Sequence, residues 1–178
     1  RPLKNSLESV LVLTNTQPGA QATYGRPEIW DRGNLIYHIS LVEDALRKLG
    51  AKSARLRLHP SENPVWYKNY LNGDFFTLDS CGSIHSSLDH SSLVIGPTST
   101  VAIEALHSGV NYICFEPFDN PVAPPFDGSD SRLKVAQSPE KLEALLGEKA
   151  VSSTDLLRDY LAESFSLDKI MAEILDTP

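Results

Sequence analysis

Short apolar runs alternate with segments of helical periodicity along this chain, and this alternation is what most restricts its fold. The apolar runs that predict strands are residues 10–13, 54–58, 75–78, 93–95, 112–115 and 134–136. A strand, a helix and a further strand that follow each other in this way form a right-handed crossover between parallel strands. The sequence therefore predicts an α/β fold, with a parallel sheet of five to six strands and helices on both faces.

The clearest helical segment is an apolar stripe that begins at Leu35. It predicts a helix from Asn34 to Leu49 that ends at Gly50, a residue suited to a helix C-terminus. Further helices are predicted at residues 65–71, 83–88, 98–108, from 138 onward, 156–162 and 167–175. The long polar connections Thr16–Asp31 and Phe118–Ser131 are predicted to be the least ordered parts of the domain.

Hydroxyl, imidazole, amide and carboxylate groups come directly after the predicted strands. In chain order these residues are Thr14, Asn15, His59, Asp79, Thr98, Ser99, Thr100 and Glu116. Open α/β sheets bind ligands just beyond the carboxyl ends of their strands, so these groups are candidates for one shared binding site.

The stretch 93–109 combines a buried strand, a Gly-Pro turn and a helix whose first turn carries Thr98, Ser99 and Thr100. The first N–H groups of a helix lack partners within it and carry partial positive charge, which suits a phosphate. In a second interpretation Ser99 only caps the helix. Glu104, one turn further on, can accept hydrogen bonds from a ribose diol or simply interact with the helix dipole.

His59 ends the second strand and also has two interpretations. Its ring either bonds a nearby carbonyl for structural reasons, or presents an N–H to a phosphate and donates a proton as that phosphate leaves. The histidines at 85, 90 and 107 are interpreted as surface or packing residues. Because no pair of histidines has metal-ligand spacing, no metal site is predicted.

The composition argues against several functions. The 178 residues suffice for one domain or for one half of a two-domain enzyme. A formal net charge of −7 argues against non-specific nucleic-acid binding, which needs a basic surface. No apolar run approaches the roughly 20 residues of a membrane-spanning helix. The glycine-rich motifs of dinucleotide-binding and P-loop folds are absent.

Two further features concern the origin of the chain. Cys81 and Cys114 are too few for a disulfide framework and match no zinc pattern, so we expect a reducing, cytoplasmic setting. The chain starts at Arg1 and its first strand follows almost at once. We therefore expect residues 1–178 to be a piece of a longer protein.

Three segments carry a family resemblance: Leu58-His59-Pro60, the stretch from Gly96 to Leu106 followed by Gly109, and Ile113–Glu116. Together they resemble the C-terminal, nucleotide-sugar-binding half of a GT-B glycosyltransferase. The closest group is the bacterial surface-polysaccharide type with an HP motif and a later Ser/Thr pair, which includes sialyltransferases and Kdo transferases that use CMP-sugars. The resemblance covers residues 54–117 and implies one Rossmann-like half of a GT-B fold.

The resemblance also implies roles for residues. His59 is the catalytic candidate and contacts the donor phosphate together with Thr98, Ser99 and Thr100, while Glu104 binds the ribose. Further sugar or base contacts are expected from Thr14, Asn15, Asp79 and Glu116. One departure is informative, because retaining GT-B enzymes often carry a glutamate where this chain has Gly96.

An enzyme of this kind would transfer a sugar from a nucleotide donor without a metal or other cofactor. Its partners would be a glycan acceptor and an N-terminal acceptor domain missing from this chain, and it could be peripheral to the inner membrane through a partner. Three alternatives remain: a nucleotide-sugar 2-epimerase, a polyol-phosphate transferase of the teichoic-acid type, and a non-catalytic nucleotide-binding or scaffolding domain.

Overall fold

A computed structural model describes residues 2–14, 27–60, 62–71, 73–117 and 122–160, without the side chains of residues 27–32, 66 and 70. Within these ranges the strands are β1 (Val10–Leu13), β2 (Ala54–Arg57), β3 (Phe76–Leu78), β4 (Leu93–Gly96), β5 (Asn111–Phe115) and β6 (Lys134–Ala136). They form one sheet in the order β3-β2-β1-β4-β5-β6, and every pairing in it is parallel. The predicted strands and their parallel arrangement are confirmed.

The described helices are α1 (Pro27–Lys48), α2 (Pro64–Tyr70), α3 (Ile84–Asp89), α4 (Val101–His107) and α5 (Pro139–Gly147), followed by a 3₁₀ turn (Thr154–Leu156) and α6 (Leu157–Tyr160). Ser138 caps α5 as its sequence predicts, since its hydroxyl accepts a hydrogen bond from the N–H of Lys141 at 3.2 Å. The predicted helix 167–175 and the end of 156–162 lie outside the described residues.

Two predicted helix starts are wrong. Helix α1 begins at Pro27 rather than Asn34, because proline is favoured at the first helical position and Glu28 suits the first turn. Residues 27–31 of the predicted loop Thr16–Asp31 are therefore helical, while the rest of it, like residues 118–121, lies outside the description. Helix α4 begins at Val101 rather than Thr98. The residues before Val101 form a turn, in which the Ser99 hydroxyl accepts a hydrogen bond from the N–H of Val101.

The sheet separates two apolar layers, as its alternating side chains require. Val10 and Val12 of β1 pack on one face with residues of α1 and α5, such as Leu46 and Leu142. Leu11 and Leu13, together with residues that include Leu88, Ala102 and Leu106, form the layer on the other face. Helices thus cover both faces, which confirms the predicted Rossmann-like α/β class.

The strand order reverses direction at β1, whose neighbours are β2 and β4. Ligands of such sheets bind in the crevice at this reversal, beyond the carboxyl ends of the strands. Side chains pack closely against Gly96 at the end of β4, because a Cβ atom there would lie 2.6 Å from the Tyr112 hydroxyl and 3.0 Å from Cβ of Leu13. Only glycine fits there, so the glutamate of the retaining enzymes has no room in this chain.

None of the helices in the described ranges is long and apolar enough to cross a membrane.

Candidate functional site

Thr14, at the end of β1, occupies the centre of the crevice and is 6% exposed. Its N–H donates to the carbonyl of Arg57 at 3.1 Å, which continues the β1–β2 ladder by one residue. Its hydroxyl donates to Oε2 of Glu62 and accepts from the N–H of His59 at 3.1 Å. Thr14 thereby joins the end of β1 to the segment that follows β2.

The turn after β4 is held from β5 by two hydrogen bonds of opposite sense. The buried Tyr112 hydroxyl donates to the Pro97 carbonyl at 2.5 Å, and the N–H of Thr98 donates to Oε1 of Glu116 at 2.6 Å. Because one anchor lies in β5 and the other follows it directly, the turn is fixed relative to the sheet before any ligand arrives.

Part of the predicted anion site is already occupied by the protein itself. The N–H of Thr98 donates to Glu116, and the Ser99 hydroxyl accepts from the N–H of Val101 at 3.2 Å. The N-cap residue of α4 is Thr100 rather than Ser99, and the Thr100 side chain makes no capping hydrogen bond to this helix. Within the part of the chain that the structure describes, the N–H groups of Ser99 and Thr100 have no acceptor. These two amides and the exposed Thr100 side chain are what the turn offers to a ligand.

Glu116 lies at the end of β5 and is 7% exposed, so its carboxylate is almost entirely within the protein. Burial raises the pKa of the Cys114 thiol to about 12, and the Glu116 charge adds to that rise. Burial likewise raises the pKa of the Tyr112 hydroxyl well above its usual value, with smaller contributions from Cys114 and Glu116. Thiol and phenol therefore stay protonated at neutral pH, and neither is a candidate nucleophile.

His38 of α1 is a buried polar residue that sequence analysis missed. Its Nε2 lies 3.2 Å from the Phe115 carbonyl, and its ring lies 4.9 Å from that of Phe115. Burial lowers the pKa of His38 more than the Phe115 carbonyl and the Glu116 charge raise it, so the ring is neutral and Nε2 donates. Its spacing from Leu35 and Val42 on the apolar stripe was the signal that could have revealed it.

The His59 side chain is exposed and that of Glu104 is partly exposed. The N–H of His59 donates to Oε2 of Glu62 at 2.9 Å as well as to Thr14. On α4, Oε2 of Glu104 lies 3.8 Å from Nε2 of His85, and the Glu104 side chain is 35% exposed. Glu104 therefore keeps access to solvent, on the side of α4 that faces α3.

Asp79 does not join this group, because it ends β3 at the edge of the sheet. Its carboxylate is 1% exposed and pairs with Arg55 and Arg57, each at 2.9 Å, and Ser87 also donates to it. Burial alone would raise the pKa of Asp79, but the hydrogen bonds from Ser87 and Arg57 outweigh it and the pKa is lowered. Asp79 is therefore committed to its arginine partners rather than to the candidate site, and Asn15 lies outside the described residues.

The candidate site thus offers N–H and hydroxyl donors at residues 99 and 100, an imidazole at 59 and carboxylate acceptors at 104 and 116. No cluster of three or more metal-ligating side chains occurs among the described residues. An arrangement of this kind suits one phosphate of low charge, held by neutral donors, with carboxylates as acceptors for hydroxyl groups.

No protein-family model matches this chain, and no curated protein matches it in sequence. A crystal structure from Listeria monocytogenes, of a protein provisionally assigned as a UDP-N-acetylglucosamine 2-epimerase, is similar to it with a TM-score of 0.54 and 18% sequence identity. The match covers 96% of this chain and 46% of the Listeria chain, so this chain spans about half the length of that protein. The similarity supports the fold, a Rossmann-like domain of the GT-B-like kind.

Proposed function

We propose that this chain binds the nucleotide part of a nucleotide sugar, as one domain of a GT-B-like enzyme. The observation that carries the proposal is the convergence of polar groups at the reversal of strand order, where Thr14, His59, the 98–100 turn and Glu116 follow adjacent strands. Open α/β sheets use this position for nucleotides.

Each residue then has a distinct role. The N–H groups of Ser99 and Thr100, with the Thr100 hydroxyl, bind the phosphate, and His59 adds a hydrogen bond or donates a proton to it as it leaves. Glu104 accepts hydrogen bonds from the ribose hydroxyls. Glu116 holds the turn through Thr98, and the sugar or base is the part of the ligand that it would contact.

Glycosyl transfer is the reaction that we favour, with a CMP-sugar as donor and the acceptor bound by a further domain. Neutral donors suffice to stabilise charge on a departing nucleotide phosphate, so the step needs no metal. The assignment to the sialyltransferase and Kdo-transferase group rests on the HP and Ser/Thr motifs alone.

A nucleotide-sugar 2-epimerase is the second candidate, and a specific observation favours it. The similar Listeria structure is of a protein provisionally assigned that activity, on a UDP-sugar. The two candidates share the nucleotide site but differ in the nucleotide that they prefer and in the need for an acceptor.

Thermal unfolding in the presence of CMP, CDP, UDP or GDP tests the proposal directly. A nucleotide present at 100 times its Kd should raise the free energy of unfolding by about 2.7 kcal/mol. A preference for CMP supports the transferase, and a preference for UDP supports the epimerase. If all four leave the melting temperature unchanged, nucleotide binding by this domain is refuted.

The phosphate site is tested by the double variant Ser99→Ala, Thr100→Val. We expect nucleotide binding to weaken by about 1.5–3 kcal/mol, the range for hydrogen bonds to a charged group, while free nucleoside binds unchanged. Glu104→Gln should instead weaken nucleoside and nucleotide alike. Ser138→Ala is the matched control, because it also removes a hydroxyl that accepts from a helix N–H, but on α5 away from the crevice.

A further inference from the structure

Glu62 is a polar residue near the crevice whose role is unexplained by the motifs. It lies between β2 and α2, and its Oε2 accepts from the N–H of His59 at 2.9 Å and from the Thr14 hydroxyl. Its own N–H donates to the His59 carbonyl at 2.9 Å. One residue therefore holds His59 at both its N–H and its C=O.

The other carboxylate oxygen of Glu62, Oε1, indicates why a glutamate occupies this position. Oε1 is buried and has no hydrogen-bond partner among the residues that the structure describes. A carboxylate oxygen kept from water without a partner is destabilising, so local stability does not account for the glutamate. A buried polar group of this kind calls for an explanation, and a role in a functional geometry is one of them.

His59 is unusually well fixed for an exposed residue. Its N–H has two acceptors, Glu62 and Thr14, and Pro60 follows it with a restricted backbone. A side chain on a fixed main chain loses less conformational freedom when it binds a ligand.

We propose that Glu62 is a positioning residue, which fixes the main chain of His59 and thereby directs its imidazole toward the phosphate of a nucleotide sugar. The inference rests on the proposed function above, since it deepens the role of His59 there. It requires the acceptor oxygen of residue 62 rather than its charge, because an N–H and a hydroxyl are what Oε2 binds.

The variants Glu62→Ala and Glu62→Gln separate the effect of the acceptor oxygen from the effect of the charge. Glu148→Ala is a control at an exposed carboxylate. By NMR, hydrogen exchange of the His59 amide should become about tenfold faster or more in Glu62→Ala, since the hydrogen bond to the Glu62 oxygen is lost. In Glu62→Gln, which keeps an acceptor oxygen, the rate should stay within about threefold of wild type. The control should not change it.

The predicted effect of Glu62 on ligand binding is measured from the NMR resonances of the His59 ring protons. Saturating CMP or UDP should shift their resonances in wild type and in Glu62→Gln, but not in Glu62→Ala at equal saturation. The dissociation constant should rise about tenfold in Glu62→Ala and return near the wild-type value in Glu62→Gln. If Glu62 had only a structural role, the His59 ring protons of Glu62→Ala would shift as in wild type once the variant is equally saturated with nucleotide.

Three results would overturn the proposal. One is a wild-type exchange rate for His59 in Glu62→Ala, and the second is an undiminished ring shift in that variant. The third is equal loss of affinity in Glu62→Ala and Glu62→Gln, which would assign the effect to charge. If neither nucleotide binds wild type, the proposed function fails instead, and the exchange rates alone decide whether Glu62 holds His59.

Discussion

Asp79 and Glu116 both follow a strand at the carboxyl edge of the sheet, yet their carboxylates have different kinds of partner. Asp79 is paired with Arg55 and Arg57, so its charge is neutralised where it lies. Glu116 accepts from the main-chain N–H of Thr98, and within the described residues it forms no ion pair. The difference shows that the carboxylate beside β3 is neutralised by arginines within the protein, whereas the carboxylate beside β4 and β5 is held by a main-chain N–H.

The largest effect is expected from Asp79→Ala, which leaves two partly buried arginines without their carboxylate. The free energy of unfolding should fall by about 3 kcal/mol, as when one partner of a buried ion pair is removed. Denaturant unfolding measures this, and nucleotide affinity below the transition should match wild type. If the free energy of unfolding falls by less than about 1 kcal/mol, or if only nucleotide affinity is lost, the proposed difference between Asp79 and Glu116 is wrong.

Gly96→Ala should have the next largest effect, because its Cβ would lie 2.6 Å from the buried Tyr112 hydroxyl. We expect the free energy of unfolding to fall by about 2 kcal/mol, as for other overpacked sites, with weaker nucleotide binding as the turn shifts. Gly82→Ala is the matched control, since a Cβ there meets nothing within 4 Å. Equal stability of the two variants would show that the crevice is not closely packed.

The smallest effect is a pH dependence that originates at His38. Its pKa in the folded protein is lowered from 6.5, mainly by burial, so below pH 6.5 the unfolded chain takes up a proton that the folded protein does not. The free energy of unfolding should therefore fall as pH drops below 6.5, by up to about 1.4 kcal/mol per pH unit. His38→Gln, which keeps a donor but does not titrate, should flatten this slope in denaturant titrations between pH 7 and 5. An unchanged slope would mean that another group titrates.

The sheet was largely predictable from sequence, because its strands are short apolar runs that are joined by the same kind of right-handed crossover connection. The start of α1 was not, since the segment from Pro27 lacks the apolar stripe that revealed the rest of the helix. Sequence correctly located His59, Thr14 and Glu116 at the carboxyl edge of the sheet.

The partners of these groups could not be predicted, because they depend on side chains far apart in the chain. Arg55 and Arg57 alternate with apolar residues along β2, a pattern that does not reveal that both neutralise Asp79. The bond from Thr98 to Glu116 likewise removes an amide that sequence had assigned to a phosphate. Helix periodicity reveals which face is buried, but it does not reveal which polar group that face carries, as His38 shows.

The central position of β1 also has a consequence for the folding rate. Leu11 pairs with Arg55 on one side and with Val94 on the other, so the strand nearest the start of the chain cannot acquire both neighbours until β4 exists. Contacts between such distant positions slow folding, because a long loop must close before they form. During synthesis, one edge of β1 therefore stays open while the intervening chain emerges, and this is the interval in which the domain is most exposed to aggregation.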